Sequence, residues 1–263
     1  MSRQGLAPSF SGAELERYAR HIMLREIGGP GQRRMKAARV LVVGAGGLGA
    51  PALMYLAAAG VGHITILDDD RVEASNLQRQ IIHAEDRVGL AKVSSAAQVM
   101  AAINSHVEIT PLPQRLTESN GAELISGQDL ILDGSDNFYT RYQVNRLAAA
   151  GIPLISAAIT QWEGQISLYD PAHGTPCYEC IFPTEPAPGL VPSCAEAGVV
   201  VPLPGVIGSM MALEAVRHLT GAGRTLAGEM LIYDGLWGET RKSTLEARAD
   251  CPVCGQSHGA GRK

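Results

Sequence analysis

Aromatic residues are scarce: Phe, Trp and Tyr together make up 5% of the 263 residues, while glycine occurs 30 times. That balance disfavours an aromatic-rich β-sandwich and suits tight turns between strands and helices. No uninterrupted apolar run reaches the roughly 18 residues of a membrane span. The first residues, MSRQGLAPSF, lack the apolar core of a secretory signal. Neither sign of charge dominates: 22 Lys and Arg stand against 26 Asp and Glu, a net charge of -4. No general affinity for nucleic acid or for a membrane surface is expected from that balance, and a cytoplasmic location is the expectation. Cysteines are few and odd in number. Four of the five form two CxxC pairs, and Cys194 stands alone. In a chain without secretory features, paired CxxC spacing reads as metal binding before disulfides.

With 46% hydrophobic and 18% charged residues, the chain can build a sizeable core. Residues 14–28 show helical spacing of apolar positions, with Gly28, Gly29 and Pro30 read as the stop. ARVLVVG (38–44) is a short β-branched run, hence a buried strand. It enters a glycine turn and then the small-residue helix APALMYLAAAG, and HITILD (63–68) is the next strand. The alternation continues with a helix near 90–103, a strand near 107–112, a helix near 118–126 and a strand at 129–133. A helix at 138–150 and a strand at 153–159 follow. This rhythm predicts an α/β fold with a Rossmann-like nucleotide-binding half whose strands are parallel. After residue 160 strands dominate, which predicts an antiparallel second half and a mixed sheet overall. We expect one domain across 1–263, with 14–160 as the nucleotide-binding half and 161–255 as the half that holds the CxxC pairs. The Pro-rich 183–193 is expected to be a mobile loop and 256–263 a disordered tail.

Gly44-Ala45-Gly46-Gly47-Leu48-Gly49 matches GxGxxG between a predicted strand and a predicted helix. Glycines there allow backbone to approach a phosphate, whose charge suits a helix N-terminus. Asp68 ends the following strand, where a carboxylate can accept hydrogen bonds from ribose hydroxyls. Ser75, Asn76, Gln78 and Arg79 come next, and Lys92 follows. Asp136 and Asn137 sit beyond the strand at 129–133. Arg79 and Lys92 would neutralise phosphate oxygens, and Asp136 would hold Mg²⁺. Each residue alone reads more simply as a solvated charge or a turn cap; together their spacing favours a triphosphate site. Cys177 and Cys180, with Cys251 and Cys254, supply four thiolates for a closed tetrahedral zinc site, which would be structural.

RYARHIMLREIG, GAGGLG, LDDDRVEASNLQRQ, GSDN, GQISLYD, CYEC, EAGVVVPLPGVIGSMMALEA and CPVCG resemble the superfamily that contains ubiquitin-activating enzymes. The likeness is to its bacterial sulfur-carrier adenylyltransferase branch (MoeB, ThiF and HesA) and spans about residues 14–255. It implies ATP-dependent adenylation of the C-terminal glycine of a ubiquitin-like carrier ending in Gly-Gly, in the thiamine or molybdopterin pathway. It also implies roles. Gly47 lies against the nucleotide and Asp68 binds the ribose. Asn76, Arg79 and Lys92 contact the triphosphate, and Asp136 binds Mg²⁺ beside Asn137. Arg20 enters the site of a neighbouring subunit, hence a homodimer. A cysteine at the position of Cys194 can join covalently to the activated carrier in similar enzymes; its plain alternative is a small packed residue. A cysteine desulfurase or a rhodanese would supply the sulfur. Three other readings stay open: a dinucleotide-binding oxidoreductase, a dehydratase resembling that for tRNA threonylcarbamoyladenosine, and a non-catalytic carrier-binding scaffold.

Overall fold

In the computed structural model, residues 9–187 and 197–255 are described. Cys194 and the tail 256–263 lie outside them, as does much of the expected mobile loop 183–193. Among the described residues eight strands form one sheet. They are β1 (Arg39–Val43), β2 (His63–Leu67), β3 (Glu108–Leu112), β4 (Leu130–Asp133), β5 (Leu154–Thr160), β6 (Glu163–Tyr169), β7 (Glu229–Asp234) and β8 (Glu239–Thr244). Their spatial order is β3-β2-β1-β4-β5-β6-β7-β8. β3 through β5 in that order pair in parallel, and β5 through β8 pair antiparallel. The mixed sheet with parallel and antiparallel halves is therefore as expected.

Strand alternation divides the core. Val40, Val42, Ile64, Ile66, Leu130 and Leu132 face one side, buried with α3 (Gly49–Ala59), α4 (Lys92–Ile103) and α8 (Leu203–Thr220). Leu41, Val43, Ile131 and Leu154 face the other. There they meet α5 (Glu118–Ile125), α6 (Phe138–Ala148) and the short α7 (Tyr178–Ile181). Central strands covered on both faces read as continuous apolar runs, which is why they were legible.

The expected helix over 14–28 ends early, at Ile22, and a second helix starts at Gly28. α1 (Gly12–Ile22) begins with a reciprocal cap: Glu14 N–H donates to Ser11 Oγ at 3.2 Å, and Ser11 N–H donates to Glu14 Oε2 at 2.8 Å. α2 (Gly28–Ala37) then starts at the glycines read as a stop. Pro30 falls in its first turn, where no intrahelical N–H is needed, so proline begins this helix instead of ending one. No helix among the described residues is long and apolar enough to cross a membrane.

Candidate active site and metal centre

β1 and β4 are neighbours whose following helices lie on opposite faces, so their carboxyl ends open a crevice. The turn after β1 is shaped by two glycines. Gly44 adopts a φ of +94°, and an added Cβ would sit 3.0 Å from the Gly134 carbonyl oxygen of the turn after β4. At Gly49 a Cβ would fall 1.9 Å from the Gly44 carbonyl oxygen. Gly49 is thus a packing glycine, not part of the cleft wall. Gly49→Ala should cost about 2–3 kcal/mol through overpacking. The check is thermal denaturation, where an unchanged midpoint would show that the turn yields freely.

Gly44, Gly46, Gly47 and Leu48 line a cleft of about 310 Å³ with Asp68, Arg79, Lys92, Asp136 and Asn137. α3 has no side-chain cap and no acidic residue in its first turn, so its positive end meets no carboxylate of its own. Asp68 Oδ2 accepts from Ala45 N–H at 2.7 Å and Oδ1 from Asp70 N–H at 2.9 Å. Burial raises its pKa, against the pull of the Ala45 N–H and of Lys92. Each oxygen keeps a second lone pair for an incoming hydroxyl. Asp68, Asp69 and Asp70 bring carboxylate oxygens within 4.8 Å of one another. Asp69 pairs with Arg115 at 3.4 Å and Asp70 with Lys92 at 2.7 Å, so this cluster already has chain partners. Lys92 is only 6% exposed, and among the described residues its ion-pair partner is a largely exposed carboxylate. A buried ammonium with three donors can hold that carboxylate and a phosphate together.

Arg79 packs beside Gly47, and its guanidinium reaches the Ser75 carbonyl at 3.4 Å. Asp136 is exposed on the cleft wall and makes no hydrogen bond or ion pair among the described residues. Its carboxylate is available to a hard cation. Asn137 caps α6, with Oδ1 accepting from Thr140 N–H at 2.9 Å. Ser75, Asn76 and Gln78 do not line the cleft. Residues 74–76 form a tight helical turn that leaves Ser75 and Gln78 exposed and brings Arg79 and Gln80 inward. Gln80, Gln114, Arg115, Thr140 and Arg141 also line the cleft and were not named as site residues from the sequence. Arg20 lies on α1 in a separate groove, away from this cleft.

His83 reinforces the glycine turn from behind. It is buried, with Nε2 3.0 Å from the Ala45 carbonyl and Nδ1 2.9 Å from Ser95 Oγ. A carbonyl only accepts, so Nε2 carries the proton and Nδ1 accepts from the serine. Burial lowers the pKa of His83, which favours this neutral form. Ala45 is therefore gripped at both its N–H and its C=O.

Cys177, Cys180, Cys251 and Cys254 converge as a buried group of sulfurs. Sγ–Sγ distances are 3.9 Å for Cys177–Cys180, 3.6 Å for Cys177–Cys251 and 3.4 Å for Cys180–Cys254. Tetrahedral zinc with bonds of about 2.3 Å needs sulfurs about 3.8 Å apart, so the set fits the ion. The Arg248 N–H points at Cys180 Sγ at 3.4 Å and Asn145 Nδ2 at Cys177 Sγ at 3.8 Å, donors that favour thiolates.

Comparison with known proteins agrees with this architecture. The sulfur carrier protein adenylyltransferase of Thermus thermophilus is 49% identical over 247 residues, covering 92% of this chain and 91% of that protein. The SAMP-activating enzyme E1 of Haloferax volcanii is 46% identical, covering 94% and 92%. The adenylyltransferase and sulfurtransferase MOCS3 of Mus musculus is 46% identical, and the chain spans 55% of its length. Among solved structures, E. coli MccB with AMPCPP and MccA superposes with a TM-score of 0.80 at 22% identity, covering 94% of this chain and 75% of that one. That likeness speaks to the fold. The ThiF family matches residues 18–253, and the chain belongs to that family.

Proposed function

We propose that this protein uses ATP to adenylate the C-terminal glycine carboxylate of a ubiquitin-like sulfur-carrier protein. The observation that carries this reading is one cleft holding the glycine turn, Asp68, the cations Arg79 and Lys92, and the unengaged Asp136 carboxylate. The names of the relatives at 49% and 46% identity support the same reaction. A carrier carboxylate oxygen attacks the α-phosphorus of ATP, the bond from that phosphorus to the bridging oxygen breaks, and pyrophosphate leaves. A carboxylate is already a nucleophile at neutral pH, so the protein needs only to align reactants and stabilise charge. Gly46 and Gly47 let the phosphates approach, Asp68 takes the ribose hydroxyls, and Arg79 and Lys92 stabilise the phosphate oxygens. Asp136 would hold Mg²⁺, which supplies further positive charge to the departing pyrophosphate. Zinc on the four cysteines is structural, because four thiolates leave no open position.

The working unit in this reading is a homodimer. A groove of about 460 Å³ between α1, α3 and α8 is lined by Tyr18, Leu24, Ile27, Tyr55, Leu213 and Val216. Tyr55 and Leu213 are more than half exposed, and contiguous apolar surface of this kind suits an interface. Arg20 lines the same groove, and in this reading it reaches the cleft of a second subunit. Each chain acts as one domain, with its parallel half for ATP and its antiparallel half for the carrier. The carrier serves thiamine or molybdopterin synthesis and receives sulfur from a donor such as a cysteine desulfurase or a rhodanese. An oxidoreductase reading is weaker, since hydride transfer has no use for Arg79 and Lys92 beside the glycine turn.

Intact-mass measurement tests the reaction. With ATP and Mg²⁺, a carrier ending in Gly-Gly should gain the mass of AMP less one water. An unmodified carrier, from protein that binds ATP and zinc, would overturn the reading.

A further inference from the structure

We propose that the cysteine knuckle Cys177–Cys180 positions the nucleotide cleft through α6, in addition to fastening the C-terminal segment. This inference rests on the cleft being the ATP site. The helix is 11 residues, hence about 16 Å long. Asp136 and Asn137 immediately precede it. Arg141, in its second turn, donates from Nη2 to the Ser135 carbonyl at 2.9 Å, fixing the turn that carries Asp136.

The rest of α6 is tied to residues 177–182. Asn145, 1% exposed, accepts from Tyr178 N–H at 2.8 Å through Oδ1. Its Nδ2 donates to Glu179 Oε1 at 3.2 Å and faces Cys177 Sγ. Arg146 Nε donates to the same Glu179 oxygen at 3.0 Å, and Tyr142 Oη donates to the Phe182 carbonyl at 2.8 Å. The Tyr178 ring packs between Tyr142, Tyr169 and Phe182, with centroids 5.4, 5.9 and 4.7 Å away.

Asn145 is the hub of this linkage. It uses both ends of its amide on the knuckle, and it sits one helical turn beyond Arg141 on the same helix. A buried amide with every group engaged locks the helix in rotation and along its axis. A knuckle whose sulfurs are fixed by a metal therefore sets where Asp136 and Arg141 stand at the cleft. Such outer partners of a metal site act at a distance through the orientation they impose.

Full-length zinc-loaded protein carrying Asn145→Ala tests this, with zinc content, melting midpoint and calorimetric Kd for ATP–Mg²⁺ measured together. The expected result is about one zinc per chain with ATP bound about tenfold more weakly. Met35→Ala serves as the control, because Met35 is fully buried among Ile27 and Ala59, apart from α6. It should lower the melting midpoint and leave the Kd of ATP at the wild-type value, which separates positioning from lost stability. If Asn145→Ala does not fold, Arg146→Met removes one bond to Glu179 and should weaken ATP binding in the same direction. Wild-type ATP affinity in the folded variant would overturn this inference alone. Failure of the wild-type protein to bind ATP would overturn the nucleotide reading and this inference with it.

Discussion

Arg20→Ala and Asp136→Ala should each lower carrier adenylation by about 10²–10³-fold, the cost of removing one charge-stabilising group from a transition state. Mixed in equal amounts and allowed to exchange subunits, the two inactive proteins should recover about a quarter of wild-type activity. The arithmetic follows from a two-fold dimer with sites completed in trans. Half of the random dimers are mixed, and in each of these one site combines an intact Asp136 with an intact Arg20 from the other chain. The geometry motivates the test, because Arg20 sits in the α1–α3–α8 groove and Asp136 sits on the cleft wall. If Arg20 acted within its own chain, every site in the mixture would stay defective. Adenylation measured over a titration of one variant into the other distinguishes the two cases.

Cys254→Ser should remove most of the bound zinc and lower the melting midpoint by about 8–16 °C. Cys180 and Cys254 lie 74 positions apart, so a metal bridging them closes a long loop. On the loop-closure relation used for cross-links, that constraint is worth about 4 kcal/mol. For a domain of this size the corresponding shift is about 8–16 °C. Elemental analysis and thermal denaturation on the same samples check both halves. A variant that keeps its melting midpoint after losing zinc would mean that packing alone holds the C-terminal segment.

The parallel half of the sheet was legible because its strands are short β-branched runs flanked by glycine turns, buried on both faces. The two-helix start was not, because Gly28-Gly29-Pro30 carries the same letters whether a helix ends or begins there. Within the cleft, Asp68, Arg79, Lys92 and Asp136 were placed by motif spacing. Ser75, Asn76 and Gln78 share that stretch, but a tight turn directs the chain so that they miss the wall. Arg115 and Arg141 were not read as site residues, since a charge after a strand or within a helix usually meets solvent. Two CxxC pairs announced the cysteine cluster, but nothing in the sequence tied Asn145 to it. That connection depends on α6 packing across the knuckle, a contact between residues 32 to 34 positions apart.

The most direct test is exchange of radiolabelled pyrophosphate into ATP, with a ubiquitin-like carrier ending in Gly-Gly and with the same carrier amidated at its terminus. The expected result is exchange with the free carboxylate and none with the amide. No exchange with either form, from zinc-loaded protein that binds ATP, would contradict adenylation of a carrier carboxylate.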